Sequence, residues 1–198
     1  PNHSFRSLRA RPAARRASVA NVTAYLLILG EREAVAWVLR ESRMAFPPTN
    51  RREVDRLTVG DELFLLTTRG CWHNPTRDRT RVIGRAWVAS PVETYAEPVS
   101  IAGRDFTRGC AIEVESLAPY LQGVELARLL PRLAAFPDKR AGAWSLRLRR
   151  PLLAVPTTDA DLLRTELAKV AAAPGDVVDE YLDRIRPVRR ARSGAPAR

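Results

Sequence analysis

Lysine, histidine, cysteine and methionine are almost missing from this chain. Only Lys139 and Lys169 break the dominance of arginine among its 33 basic residues, and there are two histidines, two cysteines and one methionine. Two cysteines, Cys71 and Cys110, do not make the disulfide framework of a small secreted scaffold. With His3 and His73 the only imidazoles, the ligand spacings of common zinc fingers are not met, so no metal is expected. No apolar run approaches the roughly 18 residues that a membrane-spanning helix needs. A Walker loop, a glycine-rich dinucleotide turn, a serine elbow and a His-Glu-x-x-His helix are all lacking. That argues against nucleotide-hydrolysing and hydride-transfer folds, and no cofactor is expected.

What is present is arginine, in uneven places. The net charge is +11 over 198 residues. The first 22 residues contribute Arg6, Arg9, Arg11, Arg15 and Arg16 with no acid, and the last twelve contribute Arg189, Arg190, Arg192 and Arg198 with no acid. The sequence between them is nearly neutral. This reads as a flexible basic arm over 1–21, one domain over 22–186 and a flexible basic tail over 187–198. Such arms release counter-ions from a polyanion without reading its sequence; equally, the scarcity of lysine beside much alanine and proline is what a GC-rich coding bias leaves behind. The basic start followed by VTAYLLILG has the outline of a signal peptide, but Glu31-Arg32-Glu33 stands where a cleavage site would be. The expected location is the cytoplasm.

Hydrophobic periodicity divides the domain. Val22 to Leu29 is a nearly continuous apolar run of strand formers and predicts a buried strand. Ala34, Val35, Val38 and Leu39 recur at helical spacing over 31–41. Trp37 points off that stripe, either to pack on a neighbouring segment or to face a ligand groove. Pro47-Pro48 stops the helix, and a short helix or turn covers 51–57. Val59-Gly60-Asp61 is a turn before the second strand, over 62–68, and a third strand covers 81–90, with Gly84 marking a bulge or a close approach. Residues 91–98 read as a loop or irregular edge, 99–106 as a short strand, and 110–117 as an alternating strand. A helical pattern over 124–136 is split by Pro131. Residues 143–148 alternate like a strand with one wet face, continued or ended by 152–155. Helices follow, one opening at Thr157 with acids at its positive end and one at Pro174. The fold class expected is α+β, a small mixed β-barrel with peripheral helices.

The stretch from Leu57 to Ser90 carries the most chemistry. Two apolar strands flank Arg69, Trp72, His73, Asn74, Arg77, Arg79 and Arg81. An indole to stack on, an amide able to pair with a base edge and guanidinium groups for phosphate are what a nucleobase site needs. Each residue also has a plainer explanation: Phe46 as core, Asn74 as a turn cap before Pro75, the arginines as a solvated hairpin rim. A second basic segment, over 139–150, brings Arg147 and Arg149. Cys71 with His73 has the neighbourhood of a nucleophile and base, but no orienting acid is evident.

At these residues the chain resembles the PUA-like superfamily, and most of all its EVE branch. The likeness rests on TAYLLIL followed at once by a helix, on SRMAF, on the Leu-x-x-Gly-Asp turn of LTVGDELFLLTT, on RVIGRAWV and on RAGAWSLRLRRPLLAVP, over roughly residues 23–165. EVE domains are related to YTH readers of methylated adenosine and SRA readers of methylated cytosine. The resemblance therefore implies RNA or DNA as partner and a pocket for one modified base. It implies that the pocket is built from the segment after the first helix and from the end of the second strand. Here those supply Arg43, Met44 and Phe46, then Thr67, Thr68, Arg69, Cys71, Trp72, His73 and Asn74. Arg77, Arg79, Arg81, Arg147 and Arg149 are the phosphate-binding candidates. The chain departs from the family in having Met44 and Phe46 where Trp and Asn are usual, and in displacing the second Asn to Asn74.

Three functions follow as expectations. The first is a non-enzymatic nucleic-acid reader with an indole-walled slot at Trp72. The second is a small amidohydrolase resembling the ASCH relatives, using Thr67 or Thr68 and Glu113, although neither lysine lies in the matching region. The third is an interaction module whose acidic segment, Asp176, Asp179, Glu180 and Asp183, meets a basic partner. Oligomeric state is left open.

Overall fold

Six apolar residues, AYLLIL, make a strand that is buried on both faces (β1, Ala24–Leu29). Side chains alternate across a strand. Tyr25, Leu27 and Leu29 therefore join one hydrophobic core, while Ala24 and Leu26 join a second on the other side of the sheet. This is why the run is continuous instead of alternating.

The computed structural model describes residues 22–49, 51–74, 76–140 and 142–184. Both basic tails, 1–21 and 187–198, lie outside the described residues. After β1 come α1 (Arg32–Glu41), β2 (Arg43–Phe46), α2 (Arg52–Asp55), β3 (Glu62–Thr67), β4 (Arg81–Val88), β5 (Glu93–Ile101) and β6 (Arg104–Leu117). The second half holds β7 (Val124–Glu125), α3 (Leu126–Leu129), a 3-10 turn over Leu130–Arg132, α4 (Ala143–Leu146), β8 (Leu152–Val155), α5 (Thr157–Leu167) and α6 (Pro174–Arg184). The strands form one curled eight-stranded sheet in the order β2-β6-β4-β3-β1-β8, with β5 also on β6 and β7 on β4. The architecture is α+β, as expected, with the small mixed barrel present as a curled half-barrel flanked by helices. β1 and β3 run parallel, Leu27 beside Leu65, so both end at the same rim of the sheet.

The Gly-Asp turn has a specific job. Gly60 has φ +93°, a conformation open to glycine at little cost. The buried Asp61 carboxylate accepts the N–H of Thr58 at 2.8 Å and of Thr23 at 3.0 Å, tying the turn to the start of β1. Gly84 marks a real irregularity: the β3–β4 register shifts between Leu65 and Leu66, and a Cβ on Gly84 would sit 2.8 Å from the Ser116 carbonyl.

SRMAF, to which the sequence pattern gave no element, pairs with β6 as strand β2 through Arg43–Phe46. Two expectations fail. Residues 99–106, read as one short strand, hold the Ala102-Gly103 turn of a long hairpin, β5 with β6, whose first strand takes up most of 91–98 as an edge with a register shift between Thr94 and Val99. Residues 143–148 are not a strand. Gly142, at φ +84°, opens the helical turn α4, in which Leu146 is left exposed and Leu148 is buried. Six alternating residues do not separate one helical turn from a strand, and the β1 edge is taken by β8.

Candidate functional site

The loop that drew attention in the sequence is built inward. Asp78 is buried, and its carboxylate accepts the N–H of Trp72 at 3.0 Å and of Asn74 at 3.2 Å. That clamp curls the loop toward α6. The Trp72 indole is only 9% exposed and lies edge-on to Tyr120 with ring centroids 4.9 Å apart, and 5.9 Å from Tyr181. Tyr181 in turn donates to the Ala118 carbonyl at 2.7 Å. The expected solvent-open slot walled by Trp72 is therefore corrected: this indole joins the core.

Other candidates are likewise committed to the fold. Phe46 and Cys71 are buried, and burial, followed by the charge of Asp78, pushes the Cys71 thiol well above its ordinary range, which removes it as a nucleophile at neutral pH. Thr67 is buried with its hydroxyl on the Arg81 carbonyl at 3.4 Å. The Arg43 guanidinium lies over the Tyr95 ring. Arg81 donates to the Gly123 carbonyl at 2.7 Å, and Arg79 donates to carbonyls of its own loop. Arg69, Asn74 and Arg77 are exposed, and Arg147 is half-buried. For the amidohydrolase reading, Lys139 donates to the Leu133 carbonyl and Lys169 pairs with Glu166 at 2.8 Å, both engaged elsewhere.

A cavity does exist, one element away. It has a volume of about 330 Å3, at the small end of the roughly 300–1,000 Å3 of ligand pockets. Its floor is where the parallel strands end, at Leu29 and Gly30 after β1 and at Thr68 after β3. One wall is α1, which presents Ala34, Val38 and the half-buried indole of Trp37. A second is β2, with Met44 and Ala45. The β5–β6 hairpin closes a third side with Ile101 and Phe106, and Leu148 with Pro151 completes the ring.

Charge at this cavity is lopsided. Among the described residues, Arg51, Arg104, Arg149 and Arg150 line it, against Glu31 alone. Arg104 sits over the Phe106 ring at 5.8 Å, and Arg150 donates to Glu53 at 2.9 Å. Arg51, Arg104 and Arg149 are exposed. His73 borders the site without walling it, its Nε2 lying 3.3 Å from Glu31. Glu31, Glu33 and His73 place ligand-type atoms within 4.8 Å of one another, and they are the residues best arranged for a cation among those described.

Of the sequence candidates, then, Met44, Thr68 and Arg149 meet at one cavity. The sequence reading missed Gly30, Arg51, Arg104 and Phe106, which come from three separate segments, and met Arg150 only as part of the basic segment 139–150. The available signals were that segment and Trp37, an indole off the apolar stripe of its helix.

No protein-family model matches the sequence, and no curated protein does. Solved structures do. The Mmi1 YTH domain, solved in complex with RNA, is 12% identical, with a TM-score of 0.50 over 75% of this chain and 79% of that one. The YTH domain of Zygosaccharomyces rouxii MRB1, in complex with N6-methyladenosine RNA, is 15% identical, with a TM-score of 0.46 over 73% and 86%. Human THYN1, in complex with DNA containing 5-methylcytosine, is 11% identical, with a TM-score of 0.43 over 73% and 97%. Among the described residues no helix is long and apolar enough to cross a membrane. The chain thus shares its fold with the YTH domain of Mmi1, a small mixed barrel with peripheral helices of the kind its sequence leads one to expect.

Proposed function

We propose that this protein is a nucleic-acid reader that takes a single unstacked base, modified or not, into the cavity between α1, β2 and the β5–β6 hairpin. The observation that carries the reading is the combination at one site of a half-buried indole, apolar walls and an arginine-lined mouth with one carboxylate. Trp37 offers the base a stacking face. Met44, Ile101 and Phe106 keep water off the rest of it. Arg51, Arg104 and Arg149 attract the phosphates on either side, because guanidinium contacts to phosphate position a strand without reading its sequence. The fold shared with an RNA-bound YTH domain supports this assignment.

Fluorescence anisotropy with short single-stranded RNA and DNA oligonucleotides tests it. Stacking is worth about 1–3 kcal/mol per base, so Trp37→Ala weakens binding about 5- to 150-fold, while Trp37→Phe keeps most of it. Arg104→Ala with Arg149→Ala lowers the slope of log affinity against log salt by about 0.7 for each phosphate that is no longer neutralised. Unchanged affinity and unchanged salt slope in these variants would remove the cavity from the function.

A further inference from the structure

Gly30 is a glycine that the protein's own architecture does not require. A glycine is needed where the backbone enters the left-handed region, or where another atom comes too close for a Cβ. Gly30 meets neither condition. Its φ lies outside the left-handed region, and the nearest heavy atom to a Cβ built there is Thr68 Oγ1, at 3.9 Å. By contrast, a Cβ on Gly84 or Gly109 would collide with a carbonyl oxygen. Gly30 is exposed and the space beside it is open, as it is beside Gly175; what sets Gly30 apart is that it lines the cavity together with Thr68.

The strand ends hold the two residues in place. The Thr68 N–H donates to the Leu29 carbonyl at 3.1 Å, and the Thr68 carbonyl accepts the Cys71 N–H at 3.1 Å. Its main chain is thus fixed on both sides, and its Oγ1 lies 3.9 Å from where a Cβ on Gly30 would sit. Among the described residues, Thr68 brings the one hydroxyl to the side chains lining this cavity.

We infer that Gly30 and Thr68 form the recognition edge of the cavity. The bare backbone at Gly30 lets a flat heterocycle enter edge-first until its polar edge meets main-chain groups at Gly30 and the Thr68 hydroxyl. The side chain missing at Gly30 sets how large a base is admitted. The hydroxyl can donate or accept, so size, more than the donor pattern, does the selecting at this position. This inference rests on the base-binding reading above.

The test compares wild type, Gly30→Ala, Gly30→Val and Thr68→Val on single-stranded oligonucleotides that differ at one central base. The panel holds adenine, N6-methyladenine, cytosine, 5-methylcytosine, guanine and uracil. Thermal denaturation is recorded alongside. The expected result is a melting temperature unchanged by Gly30→Ala, because there is room for the methyl group. Affinity for the preferred oligonucleotide then falls about tenfold or more through Ala to Val, as a filled site excludes its ligand, and the ranking moves toward smaller bases. Thr68→Val leaves a polar edge unpaired and lowers affinity across the whole panel while keeping its ranking. If wild type prefers one base and Gly30→Val keeps both the affinity and the ranking, the inference fails while the base-binding reading stands. If wild type binds none of the panel, both fall together.

Discussion

Replacing Trp72 by alanine separates a core indole from a ligand-facing one, and the structure sets the size of the effect. The ring is 9% exposed and packs between Tyr120 and Tyr181. Truncating a buried aromatic to alanine costs about 3–5 kcal/mol. The backbone bond from Trp72 N–H to Asp78 survives the change, so the loss comes from packing and from the two ring contacts, each worth about 0.5–1.5 kcal/mol and already contained in that total. For a domain of this size each kcal/mol lowers the melting temperature by about 2–4 °C, so Trp72→Ala melts roughly 6–20 °C below wild type. Circular dichroism melts and urea titrations measure this. Oligonucleotide affinity, taken well below the lowered midpoint, stays near that of wild type. A melting temperature within about 2 °C of wild type, together with a collapse in affinity, would refute the burial argument and return Trp72 to the ligand site.

Two further predictions concern the interior. Glu62 is fully buried and bridges Arg85, at 2.5 Å, and Arg164, at 2.7 Å. Removing one side of such a network costs about 3–5 kcal/mol. Both guanidinium groups are partly exposed and keep a second partner, Glu115 or Asp161, so Glu62→Ala falls at the lower end. Glu62→Gln, which keeps the volume, loses less; a urea midpoint unmoved by Glu62→Ala would contradict the network. The cysteines supply the pH dependence. Burial raises both thiols from the ordinary 9.0, Cys110 up to about 12 despite Arg43 nearby, and Cys71 further still. Unfolded thiols lose protons above pH 9.0 while the folded ones hold theirs. Their contribution to stability is complete below that pH and is lost as pH rises through the folded values. The native protein accordingly leaves Ellman's reagent unreacted at neutral pH and reacts fully in urea; stoichiometric labelling of the folded protein is the contrary result.

Local pattern and turn chemistry were legible in the sequence. The both-face burial of β1 follows from its unbroken apolar run, the Gly60-Asp61 turn from the need for a left-handed residue and a carboxylate, and α1 from its apolar stripe. The hairpin β5–β6 was only half legible. Its first strand carries Pro98 and is mostly exposed, so it lacks the alternation that marks a half-buried strand. The turn α4 failed for want of length.

Whether Trp37 or Trp72 faces a ligand was not decided by local sequence. Both indoles sit in mixed surroundings, and Trp72 had the more suggestive neighbours in Cys71, His73 and Asn74. Its burial depends on Tyr120 and on Tyr181 of α6, which arrive more than forty and more than a hundred residues later. The cavity likewise needs the parallel pairing of β1 with β3, which brings Gly30 beside Thr68, and the return of the chain at 148–151 to close the ring. Alone, the sequence determined the strand-rich class of the fold, its turns and the supply of arginine. Only tertiary structure decided which indole is open to solvent and which arginines meet around one mouth, because burial depends on contacts far apart in the chain, whereas a turn or an apolar run depends on its neighbours alone.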